Sequence, residues 1–216
     1  AHQLKKYEAS IQKHFDGIMS ISIIDAKRHH DLGFHGKSLT VPVSMQVMPS
    51  VQPTTNEKHT FFHIGSMDWM PNVEGIQWLL KEVWPLVLGE EPEAVLKLAG
   101  RNFNLNQFQK LPKGVEIVGE VFDSKAFVLQ EDIMVVPILS GGGIRIKIIE
   151  GLSFGKPVVT TPTGAEGIAD KTEPFIILNN SAQNFAKSML ELYRSQSKRY
   201  ELSANALVFA EQNYSA

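Results

Sequence analysis

The sequence predicts an α/β fold in which helices flank a doubly wound parallel sheet. Short runs of apolar and β-branched residues alternate with segments of helical periodicity. The runs lack the apolar-polar alternation of half-exposed strands, and six of them fall between residues 59 and 178. Strands that are buried on both faces and separated by helices are typical of a parallel sheet with helices on both sides.

The predicted elements follow one another regularly after residue 59. Turn residues and prolines separate them, and Pro71 lies near the first turn of the first helix. The strands are HTFFHIG, AVLKLAG, VEIVG, DIMVVPIL, PVVTT and PFIIL. The helices are PNVEGIQWLLKEVWPLVL, NLNQFQK, VFDSKAFVLQ, Ile144–Phe154, Ser181–Ser195 and residues 198–212 or so.

The first part of the chain indicates a second α/β unit. A helix over Leu4–Phe15 precedes the strand DGIMSIS, the helix IIDAKRHHDLG and the strand SLTVPVSM. Residues 46–58 carry two prolines and few apolar residues, which indicates a linker. We therefore predict two domains, 1–50 with the linker and 51–216. Because the chain opens in a helical pattern without Met, we interpret it as a fragment.

Composition excludes several classes of protein. The formal net charge is −2 and the pI about 6.4, so the chain has no general attraction for nucleic acid. It has no cysteine, which excludes disulfides and thiolate metal sites. No apolar run approaches the roughly 20 residues that span a bilayer. We expect a cytoplasmic protein.

The stretch SGGGIRIKIIEGLSFGKPVVTT, Ser140–Thr161, is the most informative. A helix that begins at Gly143 advances about 100° per residue. One stripe then holds Gly143, Lys147, Glu150 and Phe154, and the opposite side, facing the sheet, holds Ile144, Ile148 and Leu152. Two charged residues therefore share the polar face of an otherwise apolar helix.

Those charges suit a nucleoside diphosphate. The N-terminus of a helix attracts anions, and glycines let a phosphate approach the backbone. Arg145 and Lys147 add full positive charges, and the carboxylate of Glu150 can accept hydrogen bonds from ribose hydroxyls. The alternative is a solvated Lys–Glu pair on a surface helix, with the glycines as a plain turn.

A resemblance to a known family rests on five segments and their order along the chain. They are FFHIGSMDWMPNVEGIQWLL, LKLAG, VEIVGEV, DIMVVPILSGGG and IIEGLSFGKPVVTTPTGAEGI. The sequence resembles the C-terminal, donor-binding domain of GT-B glycosyltransferases, most closely family 4 of the retaining enzymes. The resemblance covers residues 59–195 and implies a Rossmann-like fold. Residues 1–50 resemble the last α/β unit of the N-terminal, acceptor-binding domain.

The resemblance implies a role for each matched position. Glu150 matches the second glutamate of the family's E-x7-E motif, which holds the ribose. Gly142 stands at the first glutamate, which contacts the donor sugar. The family arginine after the first strand is missing, and Arg145 and Lys147 would compensate. The predicted catalytic residues are Arg145 and Lys147, and the predicted nucleotide-binding residues are Gly65, Ser66, Gly119, Gly142, Gly143, Ile144 and Glu150.

Four other features are weighed beside this site. His29 and His30 are adjacent and cannot chelate a metal at i,i+4 spacing, and His63 is expected to pack inside its strand. Trp69 is expected to line the cleft, and Glu166 to cap a short helix.

The resemblance implies transfer of a sugar from a nucleotide-diphosphate sugar to a saccharide or lipid-linked acceptor. No metal cofactor is expected, since two cations and a helix dipole can stabilise the leaving diphosphate. Membrane contact is expected only through the N-terminal domain. If the chain is a fragment, we expect nucleotide binding without turnover. Two alternatives stay open: another GT-B enzyme, such as a sugar-nucleotide epimerase, and a non-catalytic nucleotide-binding module, for which Met67 and Gly142 argue.

Overall fold

A computed structural model of the protein describes residues 2–49, 59–103, 108 and 111–215. The chain divides into two compact units, Ala1–Ser44 and Met45–Ala216. The division falls earlier than the predicted boundary after residue 50, because Met45 and Met48 hydrogen-bond to Tyr214 and Ser153 of the second unit. Residues 50–58 of the predicted linker lie outside the described residues, as does most of the predicted helix NLNQFQK.

The first unit is a small α/β unit. Its elements are helix α1 (His2–Ile11), strand β1 (Gly17–Ser20), helix α2 (Ile23–Asp31) and strand β2 (Lys37–Thr40). The two strands pair in parallel with Gly17 opposite Lys37. Ser22 caps α2, since its hydroxyl accepts a hydrogen bond from the Asp25 amide. All four elements match the expected order.

The second unit contains a six-stranded parallel sheet, as predicted. The strands are β3 (Thr60–Ile64), β4 (Val95–Ala99), β5 (Val115–Gly119), β6 (Ile133–Val136), β7 (Val158–Thr160) and β8 (Ile177–Leu178). Their order in the sheet is β5-β4-β3-β6-β7-β8, and each pair is parallel. The fold is therefore a Rossmann-like α/β fold.

Helices cover both faces of this sheet. They are α3 (Met70–Trp78), α4 (Trp84–Glu90), α5 (Ser124–Gln130), α6 (Ile146–Ser153), α7 (Ala182–Arg194) and α8 (Gln196–Tyr214). The sequence predicts one helix where α3 and α4 lie, and a π-helical turn, Leu79–Val83, joins them. Pro85 explains this turn, because it has no N–H to donate to the carbonyl four residues earlier.

Neighbouring residues of β3 show how the core is divided between the two faces. Phe61 packs in a cluster with residues of α3, α4 and α7, whereas Phe62 packs in a second cluster with residues of α6 and α8. Ile148 and Leu152 of α6 are fully buried in the second cluster. The predicted apolar side of α6 therefore faces the sheet.

Lys156, in the Gly-Lys-Pro sequence before β7, serves the fold. Its ammonium is buried and donates hydrogen bonds to the carbonyls of Leu129 and Glu131, at 3.0 and 2.6 Å. These carbonyls precede β6, so Lys156 lies at the amino end of the strands. The functional charges must be sought at the opposite end.

The switch in strand order lies between β3 and β6. The chain runs from β3 outward to β4 and β5, then returns to β6 and runs the other way to β7 and β8. Phe61 pairs with Ile133 and Phe62 with Met134, so the two strands are hydrogen-bonded neighbours. In open α/β sheets the crevice at the carboxyl ends of such a strand pair is where ligands bind.

Candidate functional site

Two chain segments meet at the carboxyl ends of β3 and β6. Gly65 and Ser66 follow β3, and the chain then enters α3. The segment that we call the glycine loop, residues 140–145, precedes α6 after β6. These segments carry most of the site residues that the sequence predicts.

The helix at the glycine loop begins later than predicted. We expected it to start at Gly143, but α6 starts at Ile146 and Arg145 occupies the N-cap position with φ −94° and ψ 94°. Gly143 has φ +87°, a left-handed conformation that is incompatible with a right-handed helix. Gly143, Ile144 and Arg145 therefore belong to the loop, and Lys147 lies in the first turn of the helix.

Arg145 fastens the glycine loop to the start of α3. Its Nη1 donates to the carbonyl oxygens of Gly142 and Gly143, at 2.7 and 2.8 Å. The guanidinium also lies over the ring of Trp69, and the side chain is only 6% exposed. Trp69 is the N-cap residue of α3, so one arginine joins two segments of the site.

Lys147 reaches from α6 to the end of β3. Its Nζ donates a hydrogen bond to Asn72 Oδ1 at 2.8 Å and lies 3.4 Å from His63 Nε2. A Cβ atom at Gly65 would overlap this ammonium group. Gly65 therefore leaves the space that the lysine head occupies.

The surroundings of Lys147 are poor in negative charge. Burial lowers the pKa of the Lys147 ammonium to about 7, and the positive charge of Arg145 contributes to the shift. Both of its hydrogen-bond partners are neutral, and within the described part of the chain no carboxylate pairs with it. A partly buried cation of this kind favours an anionic ligand.

His63 is packed within the sheet, as predicted, and it also reaches the site. The ring is fully buried, and Nδ1 lies 2.9 Å from the carbonyl oxygen of Val135 on β6. Nδ1 therefore carries the proton, and the lone pair of Nε2 faces Lys147. Burial, followed by the charge of Lys147, lowers the pKa of His63 well below its usual value.

Asn72 ties the segment after β3 to the same lysine. The side chain is 3% exposed, and its Nδ2 donates to the carbonyl oxygen of Ser66 at 2.7 Å. The Gly65 amide donates to Ala99 at 3.0 Å, and the Ser66 hydroxyl donates to Asp68 at 2.5 Å. The Gly65 amide is thus already engaged within the sheet.

Glu150 lies one turn beyond Lys147 on α6. The side chain is half-buried, and burial raises the pKa of its carboxyl group. Over the ranges that the structure describes, no hydrogen bond or ion pair engages this carboxylate. It is available to accept hydrogen bonds from a ligand.

Glu166 contacts the glycine loop and caps no helix. Residues 162–168 form turns, which corrects the expectation of a capped helix, and Glu166 Oε2 accepts a hydrogen bond from the Gly143 amide at 3.1 Å. A carboxylate from the β7–β8 connection thus lies next to Gly142, where the resemblance places a glutamate. Gly142 itself is exposed.

Two predicted residues lie at the margins of this group. Ile144 is half-buried beside Gly167 of the β7–β8 connection. Gly119 ends β5, with β4 between it and β3, and its carbonyl accepts a hydrogen bond from the Gly100 amide at 2.7 Å. The structure thus brings Gly65, Ser66, Gly142, Gly143, Arg145 and Lys147 together and leaves Gly119 two strands away.

Sequence reasoning missed Asn72 and underestimated His63. Asn72 follows Pro71 in the first turn of α3, and the available signal was a polar side chain close after the end of a buried strand. Among the residues that the structure describes, no three His, Asp or Glu side chains are grouped to hold a metal ion. No described helix is long and apolar enough to cross a membrane.

The fold and the position of the site define a class: a Rossmann-like domain with its polar residues at the strand switch. The family model of glycosyl transferases group 1 matches residues 58–195, more than half of the chain. The chain belongs to this family. The predicted resemblance to GT-B glycosyltransferases is confirmed, while family 4 and retention of configuration stay predictions.

Relatives by sequence are longer than this chain. An uncharacterized 44.6 kDa protein of the cps region in Klebsiella pneumoniae is 24% identical over 97% of this chain and 55% of its own length. An uncharacterized glycosyltransferase of Methanocaldococcus jannaschii is 26% identical over 58% of this chain and 31% of its own length. The chain spans about half of the first and a third of the second.

Solved structures share the fold. TarM of S. aureus has a TM-score of 0.81 at 16% identity, over 99% of this chain and 43% of TarM. Anabaena HepE, solved in complex with UDP and glucose, has a TM-score of 0.79 at 15% identity, over 100% of this chain and 64% of HepE. At these identities the likeness concerns the fold.

Proposed function

We propose that the crevice between β3 and β6 binds the nucleoside diphosphate of a sugar donor and that the whole protein is a retaining glycosyltransferase. One observation carries this proposal. Lys147 presents a partly buried ammonium whose hydrogen-bond partners are both neutral, beside the guanidinium of Arg145. Two cations at the N-terminus of a helix suit a diphosphate, because charge-assisted hydrogen bonds and the helix dipole act together there.

In this proposal the two cations stabilise the leaving diphosphate during transfer. Negative charge develops on the diphosphate as the bond to the sugar breaks, and fixed positive groups lower the energy of that transition state. Lys147 and Arg145 are already held in place before any ligand arrives. The same charges would take the place of a metal ion.

The remaining residues would orient the donor. Glu150 lies further along α6 with a carboxylate that can accept from both ribose hydroxyls. The backbone of Gly142, Gly143 and Ile144 would approach the phosphates, and Gly119 would flank the base. Ser66 lies at the end of β3, where the acceptor and the sugar would meet.

The base of the nucleotide has to be identified by binding experiments, and UDP is the first nucleotide to test. HepE was solved with UDP and glucose, a TarM variant with UDP, and a pneumococcal O-GlcNAc transferase with UDP and GlcNAc. The fold shared with these proteins supports UDP as the first probe. A saccharide or lipid-linked acceptor remains part of the proposal for the whole protein.

A thermal-shift panel with UDP, GDP and ADP tests the site. A ligand that binds only the folded state raises the melting temperature as its concentration exceeds Kd. We expect one nucleotide to stabilise the wild type, Lys147→Gln to abolish the shift, and Lys81→Gln to leave it unchanged. Lys81 is a suitable control because it is exposed in the π-helical turn, where it pairs with Glu82. A wild type that none of the three stabilises would refute the proposal.

A second candidate is a binding module without turnover. Gly142 is an exposed glycine where a catalytic family member has a glutamate that contacts the sugar. Under this alternative UDP and UDP-sugars bind with equal affinity, because the sugar adds no contact. A UDP-sugar that binds several-fold more tightly than UDP excludes it.

A further inference from the structure

His63 connects the two strands at the switch point with the lysine of the site. Its Nδ1–H donates to the Val135 carbonyl on β6, and its Nε2 lies 3.4 Å from Lys147 Nζ. We propose that His63 and Asn72 are positioning residues that aim Lys147 at the diphosphate, an assignment that rests on the function proposed above. His63 touches no substrate in this proposal and acts through the lysine.

A lysine needs such support more than most side chains do. Its ammonium is a point charge on a flexible four-carbon chain, and side-chain entropy opposes any single position. Asn72 Oδ1 accepts from Nζ at 2.8 Å on one side, and His63 Nε2 approaches it on another. An ammonium has three N–H donors, so two are directed by the protein and one remains for the ligand.

The orientation of His63 is fixed by the sheet. Because the Val135 carbonyl can only accept, Nδ1 must carry the proton and Nε2 must present its lone pair. The ring is fully buried in β3, so it cannot turn away. The groups that face Lys147 are therefore neutral His63 from β3, neutral Asn72 from α3 and cationic Arg145 from the start of α6.

Asn72 adds a link to the segment that follows β3. Its Nδ2 donates to the Ser66 carbonyl while its Oδ1 accepts from Lys147. The amide is thus held on both sides and cannot flip without losing both hydrogen bonds. Lys147 is therefore aimed by two side chains whose own positions are fixed by backbone carbonyls.

Two substitutions at His63 separate its two contacts. In His63→Gln, the side-chain oxygen falls near the position of Nε2 and can accept from Lys147, but the donor to Val135 is lost. In His63→Asn, the amide nitrogen falls near the position of Nδ1 and can donate to Val135, but nothing reaches Lys147. A merely structural role for His63 predicts the opposite ranking of the two variants.

The experiment measures Kd for UDP and for uridine, by calorimetry and ligand-observed NMR, in the wild type and both variants. We expect His63→Asn to weaken UDP about tenfold and uridine less than twofold, since only the diphosphate meets Lys147. His63→Gln should retain UDP affinity within about threefold of the wild type, because its side-chain oxygen still accepts from Lys147. Asn72→Ala, which removes the other acceptor, should also weaken UDP selectively, and it decides the question if His63→Asn does not fold.

The outcomes distinguish the two proposals. UDP binding to the wild type with unchanged affinity in His63→Asn and Asn72→Ala overturns the positioning role and leaves the nucleotide site standing. Equal losses for UDP and uridine also overturn it, because they indicate a general disturbance of the fold. A wild type that binds no UDP, GDP or ADP overturns the nucleotide site and the positioning role together.

Discussion

The guanidinium of Arg145 lies 4.9 Å from the ring centre of Trp69. The same guanidinium donates to the carbonyls of Gly142 and Gly143. It therefore makes a cation–π contact and two hydrogen bonds at the same time. Cation–π contact and paired hydrogen bonds suit a planar guanidinium better than an ammonium group. The glycine loop is therefore held against the start of α3 by a residue for which lysine is a poor substitute.

Arg145→Lys tests this contact. We expect UDP affinity to fall by about 1–2 kcal/mol, roughly five- to thirtyfold, because the loop loses its bridge to Trp69 while the positive charge stays. Calorimetry measures the change. The matched control is Arg194→Lys, which alters an arginine that pairs with Glu90 and Glu91 on α4 and in the turn after it. Equal affinity in wild type and Arg145→Lys would show that charge alone matters.

Glu150→Ala tests the ribose contact. We expect UDP binding to weaken by about 1–3 kcal/mol, since the hydroxyls lose a charged acceptor. The 2′,3′-dideoxy analogue of UDP should bind the wild type less tightly than UDP does. It should bind the variant as tightly as UDP does. Glu82→Gln, an exposed carboxylate in the π-helical turn, is the control. If the variant still prefers UDP over the analogue, Glu150 does not hold the ribose.

The affinity for a UDP-sugar should depend on pH through Lys147. The pKa of the Lys147 ammonium is lowered to about 7 by burial and by Arg145, so raising the pH through this value removes the positive charge before the ligand arrives. We expect affinity for UDP-glucose to fall about tenfold from about pH 6 to about pH 8. UDP-glucose is preferable to UDP because it lacks a terminal phosphate that titrates.

Lys147→Arg supplies the control for this pH dependence, because a guanidinium stays charged throughout that range. His63 stays neutral over the same range, since its pKa lies well below the usual value. We expect the decline with pH to disappear in Lys147→Arg. A decline of the same size in both proteins would assign the titration to another group.

Lys147→Met should make the protein more stable while it loses nucleotide binding. The folded state lowers the lysine pKa from 10.5 to about 7, so between those values the unfolded chain binds more protons and stability rises with pH. Removing the ammonium should raise the free energy of unfolding by about 1 kcal/mol at neutral pH. Urea denaturation measures this gain, which should shrink toward about pH 10. A loss of stability at pH 7 would contradict it.

The fold could be predicted because each strand has a recognisable local sequence pattern. Runs such as IMVV and PVVTT are apolar throughout, and the glycines and prolines between them mark where each element ends. The π-helical turn before Pro85 was the main departure within the helices, since a proline can stand in the first turn of a new helix as well as interrupt an old one.

From residue spacing alone, the site could be predicted only where its residues are close in sequence, whereas Gly65 and Ser66 were predicted from the family resemblance. Arg145, Lys147 and Glu150 stand within one short segment, but the start of α6 was misplaced because successive glycines allow several loop conformations. His63 and Asn72 meet Lys147 through the pairing of β3 with β6 and the position of α3. No local pattern encodes that meeting.

The overlap between a Cβ atom at Gly65 and the Lys147 ammonium joins two positions that are far apart in the chain. A side chain at Gly65 would require the Lys147 ammonium to move from its present position. Among homologues we therefore expect covariation, with a side chain at the first position accompanied by a shorter residue at the second. In engineering this crevice, positions 65 and 147 should therefore be varied together.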